Sequence, residues 1–249
     1  MTILRRANER FHELSREAET WNTFHQAERM PEGFGTLASL SEERIGPGCA
    51  LELGEEEREV LVYLRDGILA HAEETGRAGI IESGDFLRAA TGPGRRHYEI
   101  NPSQERWAHL FRISLRPLQG EEPRAHEQKR FCTGDRRGRE CVVASRDGRS
   151  GSLRIRQDAL LFSTILETGQ HLVHALAPGR CVWLHIVDGE VTLNDTALRT
   201  GDGVGIITAR AVSVTARAST ELLILDMSPS IKMKVRSFNS IERARDELV

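Results

Sequence analysis

The segments Tyr63-Leu64-Arg65-Asp66-Gly67-Ile68-Leu69 and His185-Ile186-Val187-Asp188-Gly189-Glu190-Val191 share one pattern in different halves of the chain. In each, an apolar strand reaches an Asp-Gly step and returns as an alternating strand, which is a strong local signal for a β-hairpin. A Gly-Asp step follows each hairpin, Gly84-Asp85 in the first half and Gly201-Asp202 in the second. This repeated order of turns predicts two related β domains in one polypeptide.

Short runs of β-branched and aliphatic residues recur along the chain, for example at 60–64, 110–115, 182–187 and 222–227. Gly and Asp clusters separate them at the spacing of strands and turns, which predicts an all-β fold of two tandem β-sandwich or barrel domains. Residues 9–21 and 237–249 have weak helical periodicity. Turn and breaker residues predict a first domain at 1–120, a linker at 121–145, a second domain at 146–230 and a tail at 231–249.

The composition excludes several classes of protein. The chain has 249 residues, with 34 Lys and Arg against 37 Asp and Glu, so its formal charge is −3. This near balance gives no global electrostatic reason to expect nucleic acid or an anionic membrane as a partner. No stretch approaches the roughly 18 apolar residues of a membrane-spanning helix, and the start of the chain lacks the apolar core of a signal peptide. We therefore expect a cytoplasmic protein.

Cysteine spacing agrees with that compartment. Cys49, Cys132, Cys141 and Cys181 form no Cys-x-x-Cys pair, which favours reduced thiols over a disulfide framework or a structural zinc site. The chain also lacks a Walker loop, a G-x-S-x-G elbow and an H-E-x-x-H helix, so these common catalytic motifs give no competing assignment.

A resemblance to a known family rests on several short motifs. Thr91-Gly92-Pro93-Gly94 followed by His97-Tyr98-Glu99-Ile100-Asn101-Pro102-Ser103 resembles the second cupin motif in its pirin form, where His-x-Glu precedes Asn-Pro. Asn22-Thr23-Phe24, Gly33-Phe34-Gly35 and Ala144-Ser145-Arg146-Asp147-Gly148 are similar to further pirin segments. The chain is thus identified as a member of the pirin family over residues 3–228. The resemblance implies two cupin domains, a bicupin, and an extended or irregular structure at residues 9–21.

The resemblance also implies a metal site. Pirins and quercetinase-like relatives bind a metal through a His-x-His pair and the His-x-Glu of the second motif, and here the latter pair is His97 and Glu99. Residues i and i+2 of a strand point to the same face, so both can reach one ion. An imidazole and a carboxylate together suit iron, manganese or nickel. Glu99 is further expected to act as the catalytic base.

The other half of that site departs from the family. The alignment puts Leu53 at the first histidine and Glu55 at the second, and leucine cannot ligate a metal. Glu55 is the third candidate ligand, although the acidic run around it is also typical of a solvated edge, and a two-residue register slip would bring Glu52 or Glu57 to the same face instead. We expect an altered site with reduced affinity for a divalent metal, or a site that binds none.

Four other histidines, His71, His109, His171 and His174, are interpreted as structural. Three functions stay open. The resemblance implies a quercetin 2,3-dioxygenase-like enzyme acting on a flavonol-like small molecule. The alternatives are a non-catalytic or transcription-regulatory module with a protein partner, and a metal-free cupin that binds a small molecule. No direct contact with nucleic acid or membrane is expected.

Overall fold

The structure is a computed structural model that describes residues 2–24, 33–53, 58–73, 76, 78–91, 97–116, 118 and 126–229. The first half contributes twelve of the described strands: β1 Thr2–Arg5, β2 Phe11–Leu14, β3 Ala18–Asn22, β4 Leu37–Ile45, β5 Ala50–Leu53, β6 Arg58–Asp66, β7 Ile68–Glu73, β8 Ala78–Glu82, β9 Asp85–Thr91, β10 His97–Ile100, β11 Ala108–Leu115 and β12 Glu127–Arg130. The second half contributes ten: β13 Cys141–Ser145, β14 Leu153–Arg154, β15 Ala159–Leu166, β16 His171–Ala175, β17 Cys181–Asp188, β18 Glu190–Leu193, β19 Thr196–Arg199, β20 Gly203–Ile207, β21 Ala211–Ala216 and β22 Thr220–Met227. The helical segments in these ranges are α1 Thr133–Arg136 and the 3-10 turns Ala7–Glu9 and Arg149–Gly151. None of the helices in the described part of the chain has the length and apolar character that a membrane span requires.

The strands form two β-sandwiches of related design, which confirms the predicted all-β fold. In the first, a seven-stranded sheet of order β12-β9-β6-β11-β4-β3-β2 packs against a four-stranded sheet of order β5-β10-β7-β8. In the second, a seven-stranded sheet of order β1-β20-β17-β22-β15-β13-β14 packs against a four-stranded sheet of order β16-β21-β18-β19. The described pairings are antiparallel except for β13 with β14.

The two repeated Asp-Gly turns occupy equivalent places in the two sandwiches. Gly67 joins β6 to β7 with φ +91°, and Gly189 joins β17 to β18 with φ +95°. Only glycine adopts these backbone angles without steric cost, so the glycine of each step is required by the turn itself. At each turn the first strand belongs to a seven-stranded sheet and the second to the four-stranded sheet packed against it. The predicted β-hairpins are therefore wrong, because β6 pairs with β9 and β11 whereas β7 pairs with β8 and β10, and the chain crosses from one sheet to the other at the turn.

The long strands are apolar throughout because both of their faces are buried. On β6, Val60, Val62 and Leu64 pack inside the first sandwich, whereas Leu61 and Tyr63 point into a second cluster between the two seven-stranded sheets. That cluster also contains Trp183 and Leu225 from the second half and is the largest described core cluster of the molecule. Successive residues of β6 therefore pack alternately into the core of the first sandwich and into the core between the two domains.

Two stretches with ambiguous sequence signals have definite outcomes. Residues 9–21 are extended after the turn Ala7–Glu9, because β2 pairs with β3 and β3 pairs with β4. This confirms the extended structure that the family resemblance implies, and the helix suggested by the weak periodicity is wrong. The predicted helical segment at 237–249 lies outside the described residues. Within the predicted linker at 121–145, β12 pairs with β9 of the first sandwich and β13 pairs with β15 of the second.

Candidate functional site

The candidate site lies on the inner face of the four-stranded sheet of the first sandwich. His97 and Glu99 are two residues apart on β10, and both are almost completely buried. Glu99 pairs with Leu51 of β5 on one side and with His71 of β7 on the other, and His97 pairs with Leu53. Paired residues of an antiparallel sheet share a face, so His71 joins His97 and Glu99 on the inner face.

Glu99 is held by an arginine from the opposite sheet. Arg112 of β11 donates from Nη1 to Glu99 Oε1 at 3.0 Å and from Nη2 to Glu99 Oε2 at 2.6 Å. The same guanidinium donates from Nε to Glu43 Oε1 at 2.9 Å and from Nη2 to Glu43 Oε2 at 2.8 Å, and Glu43 lies on β4. We call this set Glu43, Glu99 and Arg112 the inner ion triad; it joins the two sheets across the sandwich core.

The triad is a stable arrangement of charges rather than an accidental contact. Burial opposes ionisation of Glu43, but the charge and hydrogen bonds of Arg112 outweigh it and lower the pKa of this carboxyl. Burial likewise opposes the charge on Arg112, and the two carboxylates raise the pKa of the guanidinium well above its ordinary value. Charge-assisted, bidentate hydrogen bonds of this kind are the strongest that arginine makes. Glu43 and Arg112 therefore favour their charged forms, and the guanidinium lies between the two carboxyl groups.

Three imidazoles lie beside the triad. His97 Nε2 is 3.8 Å from Glu99 Oε1. The His97 ring stacks on His71 with centroids 5.9 Å apart and planes 8° apart, and His71 meets His126 edge-on at 4.4 Å. His71 also lies directly over Gly79 of β8, where a Cβ atom would come within 2.6 Å of His71 Nε2. The site is thus a polar strip built on one face of an otherwise apolar sandwich.

These residues differ in part from those that the sequence predicts. The structure brings His97 and Glu99 together, but Glu55 and Glu57 lie outside the described residues. Glu52 is exposed and pairs with Tyr98, so it lies on the face opposite to Glu99. Sequence reasoning missed Arg112 and Glu43, and assigned His71 only a structural role. The available signal was a charged residue inside the apolar run Leu110-Phe111-Arg112-Ile113, since a buried arginine requires partners of opposite charge.

The described residues do not fit the metal that the family resemblance implies. Both oxygens of Glu99 already accept hydrogen bonds from a cation, and a divalent ion bound there would be repelled by the guanidinium. The stacked rings of His71 and His97 lie side by side rather than converging on one point. Across the part of the chain that the structure describes, no three His, Cys, Asp or Glu side chains are grouped so that they could hold a metal ion.

Two further histidines, His109 and His174, lie in separate hydrogen-bond networks. His109 Nε2 lies 2.9 Å from Glu42 Oε1, and Arg10 donates to Glu42 Oε2 at 2.7 Å. Burial alone would raise the pKa of Glu42, but these two contacts outweigh burial and lower the pKa to about 2. His174 is in the second sandwich, 2.6 Å from a Glu140 oxygen and 3.3 Å from an Asp226 oxygen. These networks bind strands together and do not reach the inner ion triad.

Comparisons with known proteins agree with this architecture. Residues 5–114 match the family model described as Pirin, and residues 142–227 match the one described as Quercetinase C-terminal cupin domain. A quercetin 2,3-dioxygenase of Escherichia coli (strain K12) is 32% identical over 233 residues, covering 92% of this chain and all of that protein. The crystal structure of the bacterial pirin YhhW in complex with nickel(II), also from Escherichia coli, has a TM-score of 0.82 at 32% identity, with 92% and 100% of the two chains covered. A pirin-like protein of Caulobacter vibrioides is 29% identical over 78% of this chain and 84% of its own.

Proposed function

Because the chain belongs to the pirin family and is a bicupin, we propose that its first sandwich is a quercetinase-type site with an altered metal-binding half. In this proposal the site takes a flavonol-like small molecule, and metal-dependent dioxygenase activity is weak or lost. One observation carries the proposal: the carboxylate of Glu99, the expected ligand and base, is bound at both oxygens by Arg112.

The named relatives supply the substrate class. Quercetin is a flavonol, and the Escherichia coli protein described as a quercetin 2,3-dioxygenase matches this chain over its full length. A cupin sandwich keeps its interior whether or not it holds a metal, so the loss of a ligand alters the chemistry more than the capacity to bind. Iron, nickel and manganese are the ions that a residual site would accept, and nickel is the one bound in the YhhW complex.

The residues of this chain have definite roles in such a site. Glu99 cannot accept a substrate proton without giving up part of its hydrogen bonding to Arg112, so its role as catalytic base is weakened. His97 lies next to Glu99 on the same face and would contact the phenolic or enolic edge of a ligand bound there. The strip formed by His71, His97 and His126 would orient the polar edge of a ligand, while the sandwich core would contact its apolar rings.

Metal content and ligand binding test the proposal together. Protein purified without an affinity tag is analysed by elemental mass spectrometry, and quercetin binding is titrated by fluorescence before and after chelation, alongside oxygen uptake. We expect well under one metal ion per chain, quercetin binding that survives chelation, and oxygen uptake near background. His97→Ala should weaken quercetin binding, whereas His171→Ala, an exposed histidine of β16 in the second sandwich, should not.

Two results would contradict the proposal. Near-stoichiometric iron, nickel or manganese that disappears in His97→Ala, together with quercetin-dependent oxygen uptake, would show a working dioxygenase. Failure of quercetin to bind either the metal-loaded or the metal-free protein would remove the flavonol-like ligand and leave the protein-partner function, which stays a prediction from the sequence.

A further inference from the structure

The inner ion triad places a permanent positive charge where the family resemblance places a metal ion. Arg112 is buried, and its guanidinium, which carries five N–H groups, donates four hydrogen bonds to the two carboxylates. Burying an arginine in a sandwich core is costly unless such partners are supplied. The site therefore has the feature that a metal would otherwise provide, a cation bound by carboxylates, but it is built from the chain itself.

We propose that Arg112 is an internal cation that replaces the divalent metal at Glu99 and keeps metal ions out of the site. The inference rests on the proposed function only in placing Glu99 at the position of a metal ligand. The guanidinium of Arg112 is covalently attached to the chain, so its effective concentration beside Glu99 stays high. It therefore competes with free metal ions and does not diffuse away from the site. An incoming metal ion would have to displace two hydrogen bonds to Glu99 and then remain next to the displaced positive charge.

The orientation of Glu99 supports this assignment over simple core filling. Arg112 donates a hydrogen bond to each oxygen of Glu99. Each oxygen therefore has fewer lone pairs to give to a metal ion that would bind between Glu99 and His97. His97 lies 3.8 Å from one of these oxygens and is therefore adjacent to any ion that Glu99 could bind. Removing the guanidinium would leave an imidazole and a carboxylate on one face of β10, which is the minimal pair for a weak metal site.

A charge-matched double substitution tests the proposal. Glu43→Gln with Arg112→Gln removes one charge of each sign, so the formal charge of the triad is unchanged while Glu99 loses its cation. Titration calorimetry with NiCl₂ should show affinity about ten- to a hundred-fold higher than in the native protein, the range that groups contacting metal ligands commonly control. Adding His97→Ala to the double variant should abolish the gain. Glu43→Gln alone keeps the contact between Arg112 and Glu99 and should show no gain.

A second measurement covers the case in which the double variant does not fold, as judged by its far-ultraviolet circular dichroism. In the native protein, NMR spectra selective for arginine Nε–H and histidine ring signals are recorded during the same NiCl₂ titration. We expect a protected Arg112 Nε–H signal and no selective paramagnetic broadening of His97 at micromolar Ni²⁺. Arg112→Lys should allow weak Ni²⁺ binding at His97, since an ammonium cannot hold both carboxylates in the same fork.

Two outcomes would overturn the inference. One is selective broadening of His97 in the native protein at micromolar Ni²⁺; the other is a folded double variant whose Ni²⁺ affinity equals that of the native protein. Quercetin binding to the native, metal-free protein is unaffected by either outcome, so failure of this inference and failure of the proposed function can be told apart.

Discussion

Arg112 and Glu99 belong to different sheets of the first sandwich, and two hydrogen bonds of 3.0 and 2.6 Å join them through the core. Arg112 lies in the centre of β11, between β4 and β6, whereas Glu99 lies on β10 of the four-stranded sheet. The contact therefore fixes the distance between the sheets at the point where apolar packing gives way to the polar strip. Breaking it should be strongly destabilising, because both side chains are buried and the group left behind would lose its counter-charge.

Arg112→Met should destabilise the protein by about 3–5 kcal/mol, since it leaves Glu43 and Glu99 as uncompensated buried charges. Urea denaturation followed by tryptophan fluorescence measures the effect. Arg65→Met is the control, because Arg65 is partly exposed and pairs with the exposed Asp188; its loss should cost about 1 kcal/mol or less. Equal losses in the two variants would contradict the importance of burial.

Gly79→Ala should disturb the polar strip. The added methyl group would come within 2.6 Å of His71 Nε2, so the His71 ring must move and its stacking on His97 must change. We expect altered histidine ring signals for both residues in NMR spectra and a loss of about 1–3 kcal/mol, typical of overpacking. Gly134→Ala, which has open space at the Cβ position, should leave both signals and stability nearly unchanged.

The second sandwich should lose stability at alkaline pH through His174. Burial alone would lower the pKa of His174, but hydrogen bonds and charges of Asp226 and Glu140 outweigh it and raise the pKa to about 9 from 6.5. A pKa raised in the folded state stabilises the protein fully below pH 6.5, and this contribution disappears as the pH rises through 9. The loss should reach up to about 3 kcal/mol.

Denaturation curves collected from pH 6 to 10 measure this slope. His174→Gln should flatten it, whereas His171→Gln on the same strand should leave it intact, because His171 is exposed and its ring nitrogens lie beside the uncharged hydroxyls of Thr215 and Ser213. A native profile without decline between pH 6.5 and 9 would contradict the assigned role of His174.

Gly189→Ala should be more harmful than Gly151→Ala, although both glycines have positive φ angles, +95° and +76°. A Cβ atom at Gly151 meets nothing within 4 Å, so alanine there should cost only the backbone strain of about 1–2 kcal/mol. A Cβ atom at Gly189 would lie 2.3 Å from the Ser219 carbonyl oxygen, so the turn between β17 and β18 must shift. Thermal unfolding of both variants checks the order, and a reversed order would contradict the requirement for glycine at this turn.

The fold could be predicted from the sequence because its signals are local. Asp66-Gly67 and Asp188-Gly189 specify turns within a few residues, and their repetition indicates the duplication, although each turn joins strands of different sheets and not the two strands of a hairpin. The continuous apolar run around Val62 and Tyr63 indicates a strand buried on both faces, although the sequence alone does not say which face meets the other domain. The helical periodicity at residues 9–21 was misleading because it does not show strand pairing. The strand β3 in this segment pairs with β4, which lies further along the chain.

The candidate site could be predicted only in part, since it depends on pairing between sheets. The motif around His97 and Glu99 is local and visible, whereas the partner of Glu99 lies on β11 and that of Arg112 on β4. An arginine inside an apolar strand indicates a buried counter-charge but not which carboxylate supplies it. His126 likewise reaches His71 only through the pairing of β12 with β9, which no local pattern encodes.

The pairing of β1 with β20 has a consequence for how the polypeptide is made. Thr2 pairs with Ile206 and Arg5 with Gly203, so β1 completes a sheet whose other strands lie within residues 141–227. On the ribosome this strand must wait, with its hydrogen-bonding groups exposed, until β20 has emerged. A fragment that contains only the second half would present β20 as an open edge, able to recruit another strand. The two halves have related folds, but β1 of the first half completes a sheet of the second, so the halves cannot be treated as interchangeable modules.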